Sequence, residues 1–513
     1  MSQNIKTIKD LLIWILVVSS VFELLFFPTI ANLTGILVTW MSILVYYNLI
    51  FQPRFLYKYP LLFVATLILF GFMYLPMPLT LIDGMSMSHD LLNPELTYIL
   101  QFIYFLLTIL SVKLAAWVSD RYNGIYFFLK KIGYFKVPTI SQIYILALFG
   151  WIFKYQTLKN QFSGDDIYVS GMGTFAMFSI FIYSPITILF RELLGAQPCS
   201  KVQKIVALIY MLLLTIILVA TNSRGAMLSA WIILSLCFCI KYISEKKRYN
   251  FITPKNLLII LFTTYIITGP FNDMAYAMLM ARGNRQGVQF TNLFEETINY
   301  YNDKNALNKF RLYLDKVNND VSLKDWNEEY VSNIFLQRFC NYRVVDASIY
   351  HALRAGTPSE SMVEDFGARI MAMFPQPIIN VLNPDFRKEQ YSYSPMDLLY
   401  AKSQKSSIHV SYIVGGDVGL GLATFGFLYF PIVFIVYTIQ LLIINSLMRV
   451  NGRKNIFPFL TLISLFNILL PFQVGSGLVV HVIYIIWSFW WTLIWKLIPF
   501  RVVLMFNKLK FQK

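Results

Sequence analysis

Residues 205–240 read IVALIYMLLLTIILVA, TNSR, GAMLSAWIILSLCFCI: two apolar runs, Ile205–Ala220 and Gly225–Ile240, joined by Thr221-Asn222-Ser223-Arg224. Each run holds 16 residues, about 24 Å of helix at 1.5 Å per residue. The hydrocarbon core of a bilayer is about 30 Å thick, so the turn between the runs is expected at or below the membrane surface. An arginine there is costly unless an anion meets it. The alternative is that Arg224 reaches up to lipid headgroups along its aliphatic stem.

The same pattern recurs outward in both directions. Apolar stretches able to span lie near 11–30, 33–51, 60–77, 96–118, 138–155, 172–194, 203–221, 225–243, 255–271, 418–446, 456–473 and 476–498. The chain of 513 residues is 57% hydrophobic and 14% charged, with a mean hydropathy of +0.58, too little polar surface for a soluble globule of this size. The expected fold class is therefore all-α and polytopic, with about twelve transmembrane helices. The net charge of +16 would point to nucleic acid in a soluble protein. Here 25 Lys and Arg fall in short connectors of one side against three (Lys154, Lys159 and Arg224) on the other. Basic connectors stay in the cytoplasm, so both termini are expected there and no nucleic-acid partner is implied. Lys6 and Lys9 precede an apolar run too long for a signal-peptide core, which reads as a retained first span.

The sequence thus divides into helices 1–9 (residues 1–271), a polar segment (272–410) and helices 10–12 (411–513). The polar segment carries 15 basic and 16 acidic residues and is too long for an ordinary connector, so a folded helical domain outside the membrane is expected. Its middle predicts a helix from about Asn333 to Ala355, with Val345, Ile349 and Ala352 on one face and Arg343, Tyr350 and Arg354 opposite. Gly356 should stop it. Thr357 as cap and Pro358 at the first position predict a second helix to about Phe374, before Pro375 and Pro377.

Ser223-Arg224-Gly225-Ala226, set between two apolar helices and upstream of one large loop, resembles the signature of bacterial O-antigen polymerases and ligases. The resemblance implies action on undecaprenyl-pyrophosphate-linked oligosaccharides at the outer face of the bacterial inner membrane, with Arg224 as a functional residue. Ser407-Ile408-His409, followed by Gly415-Gly416-Asp417-Val418-Gly419-Leu420-Gly421 and Gly426, resembles the same families' histidine, acid and spaced glycines, with Asp417 where Glu is commoner. Glycines let a backbone approach a ligand closely, and a histidine can take a proton near neutral pH. His409, or Asp417 in its place, is the expected base. A third group, Arg282, Arg285, Arg338, Arg343, His351 and Arg354, forms the expected substrate-binding set, because guanidinium forks grip pyrophosphate bidentately. Pairing of Arg343 with Asp346 one turn away is the alternative for that helix.

The expected activity is polymerisation of lipid-linked repeats into O-antigen, capsular or exopolysaccharide, with a growing glycan on undecaprenyl pyrophosphate as donor and a single lipid-linked repeat as acceptor. Further expected partners are membrane lipid and the chain-length regulator and flippase of the same pathway. The rivals are a ligase, passing the glycan to a lipid acceptor, and a flippase or transporter. Four cysteines and four histidines are scattered without ligand spacing, so no metal and no cofactor is expected. Asp83, Asp165 and Asp166 are the acids a metal-dependent mechanism would use. Glu23, acidic within the first span, is expected to meet a neighbouring helix.

Overall fold

A computed structural model of the chain describes residues 2–160, 177–219, 224–244, 258, 265, 268–282, 290–320, 329–333, 336–451, 454–472 and 477–510. It is mostly helical and membrane-embedded in character. Six of its described helices are long and apolar enough to cross a membrane: Ile30–Leu49, Pro94–Ser119, Met177–Leu194, Lys201–Leu218, Asp417–Asn445 and Gly477–Met505. A seventh arises if Pro60–Tyr74 and Pro76–Ile82, bent by 48°, count as one span. The expected span at 255–271 falls almost wholly outside the described residues. That at 456–473 is instead three short pieces, Phe459–Ile463, Leu465–Leu469 and Leu470–Phe472, and it follows a two-stranded antiparallel hairpin pairing Arg449 with Ile456. The hairpin is the one departure from an all-helical chain among the described residues.

The chain forms two compact units. The first comprises Met1–Tyr122, Asn318–Asn445 and Leu469–Ser488, the second Asn123–Val317, Ser446–Ile468 and Phe489–Lys513. The polar segment 272–410 is thus shared between them.

Helix starts in the first unit follow local chemistry. Pro53, Pro60, Pro76, Pro94 and Pro395 each open a helix, where a missing N–H costs nothing and the fixed φ is already helical. Thr29 caps Ile30–Leu49 by accepting from the amide of Asn32 at 3.2 Å. Between these helices polar groups answer one another: Tyr46 meets Thr66 at 3.1 Å, Tyr74 donates to the carbonyl of Leu12 at 2.8 Å, and Ser111 to that of Phe434 at 3.0 Å. Lipid gives helices little hydrophobic reason to associate, so such bonds and close packing hold them.

The second unit packs Ile140–Asn160 against the helical segment Met177–Leu194, which contains Pro185 and breaks at Phe190. Gly150 permits the approach, since a Cβ there would fall 2.5 Å from the backbone nitrogen of Ile182. Phe149, Phe153, Phe178 and Phe181 fill the seam. Tyr210 donates to the carbonyl of Ile182 and accepts from Trp151 at 2.8 Å. In this unit Asp273 bridges Lys304 at 2.6 Å and Arg311 at 2.5 Å.

Candidate functional site

Two helices of the first unit organise the candidate site: the arginine helix, Tyr342–Ala355, and the glycine helix, Asp417–Phe425. The arginine helix starts later than the sequence suggested, because a short turn, Leu336–Phe339, precedes it and Asn341 caps it by accepting from the amide of Val344 at 3.1 Å. It stops at Gly356 (φ +93°), as expected, and the next helix spans Glu360–Ala372 with Ser359 rather than Thr357 at its cap position. Val345, Ile349 and Ala352 are buried, Arg343 and Tyr350 half-buried and Arg354 exposed, so the expected faces are the observed ones.

Its polar residues have other partners than those expected. Asp346, 1% exposed, accepts from the amides of Leu92 (2.5 Å) and Asn93 (2.9 Å) and from the hydroxyl of Thr97 (2.7 Å). It therefore caps Pro94–Ser119 from outside, a helix whose own cap residue, Asn93, makes no side-chain bond. Burial raises the Asp346 carboxyl above its ordinary value, and the three donors oppose that rise. Arg343 does not pair with Asp346: it donates to the carbonyl of Glu329 at 3.0 Å and pairs with Asp90 at 3.2 Å. Burial lowers its pKa, and the Asp90 carboxylate resists the change. His351 is not on the exposed face. It is 2% exposed, with Nδ1 2.7 Å from the Ser403 hydroxyl, and burial drives its pKa down to about 4.

The glycines bring helix to helix, not backbone to ligand. A Cβ on Gly419 would overlap the backbone of Ser348, one on Gly416 would sit 2.7 Å from Cα of Val345, and one on Gly421 would strike the Tyr429 ring. Ser348 fixes the contact: its hydroxyl donates to the carbonyl of Val344 and accepts from the amide of Gly416, both at 2.6 Å. Asp417 is consequently buried, 5% exposed, accepting from the amide of Gly477 at 2.7 Å and the hydroxyl of Tyr104 at 3.2 Å. Tyr104 meets Tyr437 at 2.5 Å, Tyr437 meets Nε2 of His481 at 3.1 Å, and Nδ1 of His481 meets Oε1 of Gln440 at 2.6 Å. Tyr104, Asp417, Gln101, Phe72 and Phe472 border a small cavity.

Eight residues before Asp417, His409 is exposed. Its loop hangs from one buried carboxylate. Asp397 forms a capping box with Ser394 at the start of Pro395–Gln404 and also accepts from the amides of Ser411 (3.4 Å), Tyr412 (3.1 Å) and Ile413 (3.2 Å). Lys405 (φ +54°) and Tyr412 (φ +53°) turn the chain at either end of this loop.

A second knot forms in residues 83–93. Glu23, fully buried, accepts from the amide of Met87 at 2.5 Å, so its partner is a loop rather than a helix. The carbonyl of Met87 in turn accepts from Tyr98 at 3.0 Å and Tyr330 at 2.5 Å. Asn32 accepts from the amide of Ser88 at 3.2 Å. Asp83 accepts from both the amide and the hydroxyl of Ser332 at 2.7 Å.

Of the remaining expected residues, Arg224 opens the helix Arg224–Ser244, Arg282 closes Pro270–Arg282 and Arg338 lies in Leu336–Phe339, their side chains falling outside those described. Ser223, Arg285, Asp165 and Asp166 lie outside the described residues altogether. The first unit thus joins Arg343, His351, Arg354, His409 and Asp417 in one compact body, while Arg224 and Arg282 belong to the second. Tyr104, Tyr437, His481 and Asp397 were not singled out by sequence reasoning. His481 and Gln440 had a signal, each being a hydrogen-bonding side chain within an apolar span. Compared with family models, curated proteins and solved structures, the chain has no match.

Proposed function

We propose that the chain is a glycosyltransferase that polymerises undecaprenyl-pyrophosphate-linked oligosaccharide repeats at the outer face of a bacterial inner membrane, with twelve spans, cytoplasmic termini and residues 272–410 outside. The observation that carries this reading is the His409 loop: a solvent-facing imidazole on a backbone pinned by Asp397, just before the chain enters the apolar helix Asp417–Asn445. That supports a base at a membrane surface, where a lipid-linked acceptor presents its hydroxyl. In this reading His409 removes the proton of the attacking hydroxyl as the new C–O bond forms at the donor's anomeric carbon. The bond from that carbon to pyrophosphate breaks, and guanidinium groups meet the departing charge. Arg343 is engaged by Asp90, which leaves exposed Arg354 for that part; Arg224 enters the proposal through its resemblance to the family signature alone. The reaction as proposed needs no metal or cofactor.

Purified protein given lipid-linked repeats in detergent, with a chelator present, tests it: longer glycans on the same lipid are expected. Arg224→Lys should lower extension as much as Arg224→Ala, by roughly tenfold or more, because lysine keeps the charge and loses the bidentate fork. Near-normal chains from the lysine variant would remove Arg224 from the site. A second reading, a transporter of the lipid-linked repeat, is favoured by one observation, the buried polar series from Asp417 to His481. Transfer of the repeat across vesicles without extension would select it.

A further inference from the structure

The contacts around Tyr104 and Tyr437 impose a count of hydrogens. Four links run in series: Asp417 to Tyr104 (3.2 Å), Tyr104 to Tyr437 (2.5 Å), Tyr437 to Nε2 of His481 (3.1 Å), and Nδ1 of His481 to Oε1 of Gln440 (2.6 Å). Each link requires one hydrogen. With Oε1 of Gln440 facing the ring, the last link takes its hydrogen from Nδ1; the opposite amide orientation would supply that hydrogen from Gln440 itself and leave no fourth hydrogen to place. Tyr104, Tyr437 and a neutral imidazole bring three hydrogens to four links. The fourth has two places. It can sit on the Asp417 carboxyl, with every hydroxyl pointing toward His481, or on Nε2 of an imidazolium, with every hydroxyl pointing back.

We propose that Asp417, Tyr104, Tyr437 and His481 form a buried proton wire that holds one exchangeable proton and passes it between carboxyl and imidazole. The transfer is balanced within the chain. The O–H bond of Asp417 breaks as Tyr104 gains that proton, Tyr104 gives its own to Tyr437, and Tyr437 gives its own to Nε2. A carboxyl and a neutral ring become a carboxylate and an imidazolium, and the net charge of the series stays the same. Hydrogen-bonded chains in a low-dielectric interior polarise one another, which favours concerted reversal over a stranded intermediate. The two ends differ. The amide of Gly477 donates at 2.7 Å to the second oxygen of Asp417, which supports a carboxylate, while Gln440 Oε1 supports a ring hydrogen. Asp417 and Tyr104 border the small cavity, whereas the imidazole end closes on Gln440. The other titratable group in the electrostatic surroundings of the two tyrosines is Tyr429, its ring stacked 6.4 Å from that of Tyr104. The wire rests on these hydrogen bonds alone and stands apart from the glycan reading.

Spectroscopy on the full chain in lipid bilayers tests it. With four histidines in the sequence, ¹⁵N-histidine labelling gives few resonances, and loss of one in His481→Gln assigns that ring. Infrared spectra compared with Asp417→Asn report the carboxyl, and Asp417→Glu, which keeps the group and shifts its stretch, serves should the asparagine variant not accumulate. At neutral pH the pair is expected to hold one proton, as a protonated carboxyl with a neutral Nδ1–H ring or as a carboxylate with an imidazolium. Tyr437→Phe removes two links and the need for the fourth hydrogen, so the pair should then hold none. An ionised carboxyl beside a neutral ring in the wild type, a ring with bare Nδ1, or a Tyr437→Phe protein that keeps the proton overturns the proposal.

Discussion

The His409 loop and the glycine helix are adjacent in sequence and read as one motif, yet they differ in nearly every physical respect. The loop is exposed and has no regular secondary structure, its backbone amides gathered by Asp397. The glycine helix is buried from Asp417 to Thr424, and its small residues are spent on contact with the arginine helix. The difference teaches that glycine spacing alone does not separate a ligand-facing backbone from a packed one. What separates them here is the partner, Ser348, which lies 68 residues earlier in the chain.

The contrast breaks most severely at Gly419. Gly419→Leu places a side chain where the Ser348 backbone lies, and overpacking with no flexible neighbour to yield should cost about 3 kcal/mol or more. The variant should fail to accumulate in membranes, measured by quantitative blotting. The same change at His409, which is exposed, should leave abundance unaltered. Equal abundance of the two variants would mean the helices are not packed as described.

His351 gives the next effect, because its bond to Ser403 ties the arginine helix to Pro395–Gln404, the helix that roots the loop. Its pKa is about 4 in the folded chain, against about 6.5 for an unperturbed imidazole, so the unfolded state binds more protons between those values. Stability is full above about pH 6.5 and is lost as pH falls toward 4, by on the order of 2–3 kcal/mol. Thermal melts across that range should show a fall that His351→Gln removes. A wild-type melting temperature that is flat over the window would place a solvated histidine at this position.

The smallest effect belongs to the loop itself. Asp397→Asn loses charge-assisted acceptance of three amides, at about 1–2 kcal/mol. Hydrogen exchange should accelerate at Ser411, Tyr412 and Ile413 while the glycine helix stays protected. If both accelerate together, loop and helix open as one unit and the distinction between them fails.

Much of this arrangement was legible beforehand. Apolar runs of about 20 residues located the six described helices long enough to cross a membrane, half of the twelve expected, and the 3.6-residue period of Val345, Ile349 and Ala352 marked the buried face of the arginine helix. Polar pairings across long separations were not legible. Asp346 reads as a partner for Arg343 three residues away, whereas the helix end it caps lies 249–254 residues earlier. Nothing local announces an uncapped helix elsewhere. His351 likewise falls near the polar face by angle, but Ser403 and Tyr400 close over it from another helix. The broken stretch at 459–472 escaped for the opposite reason: its composition is uniformly apolar, so hydropathy does not see where the backbone turns.

Asp346 also sets an order of events during synthesis. The chain emerges from its N-terminus, so Pro94–Ser119 is made some 250 residues before the carboxylate that caps it. Glu23 has a shorter wait, its amide partner at Met87 arriving 64 residues later. Until each partner appears, an acid or a bare helix end stands open within an otherwise apolar bundle. A nascent chain halted short of residue 346 therefore lacks the carboxylate that the amides of residues 92 and 93 bond in the finished protein.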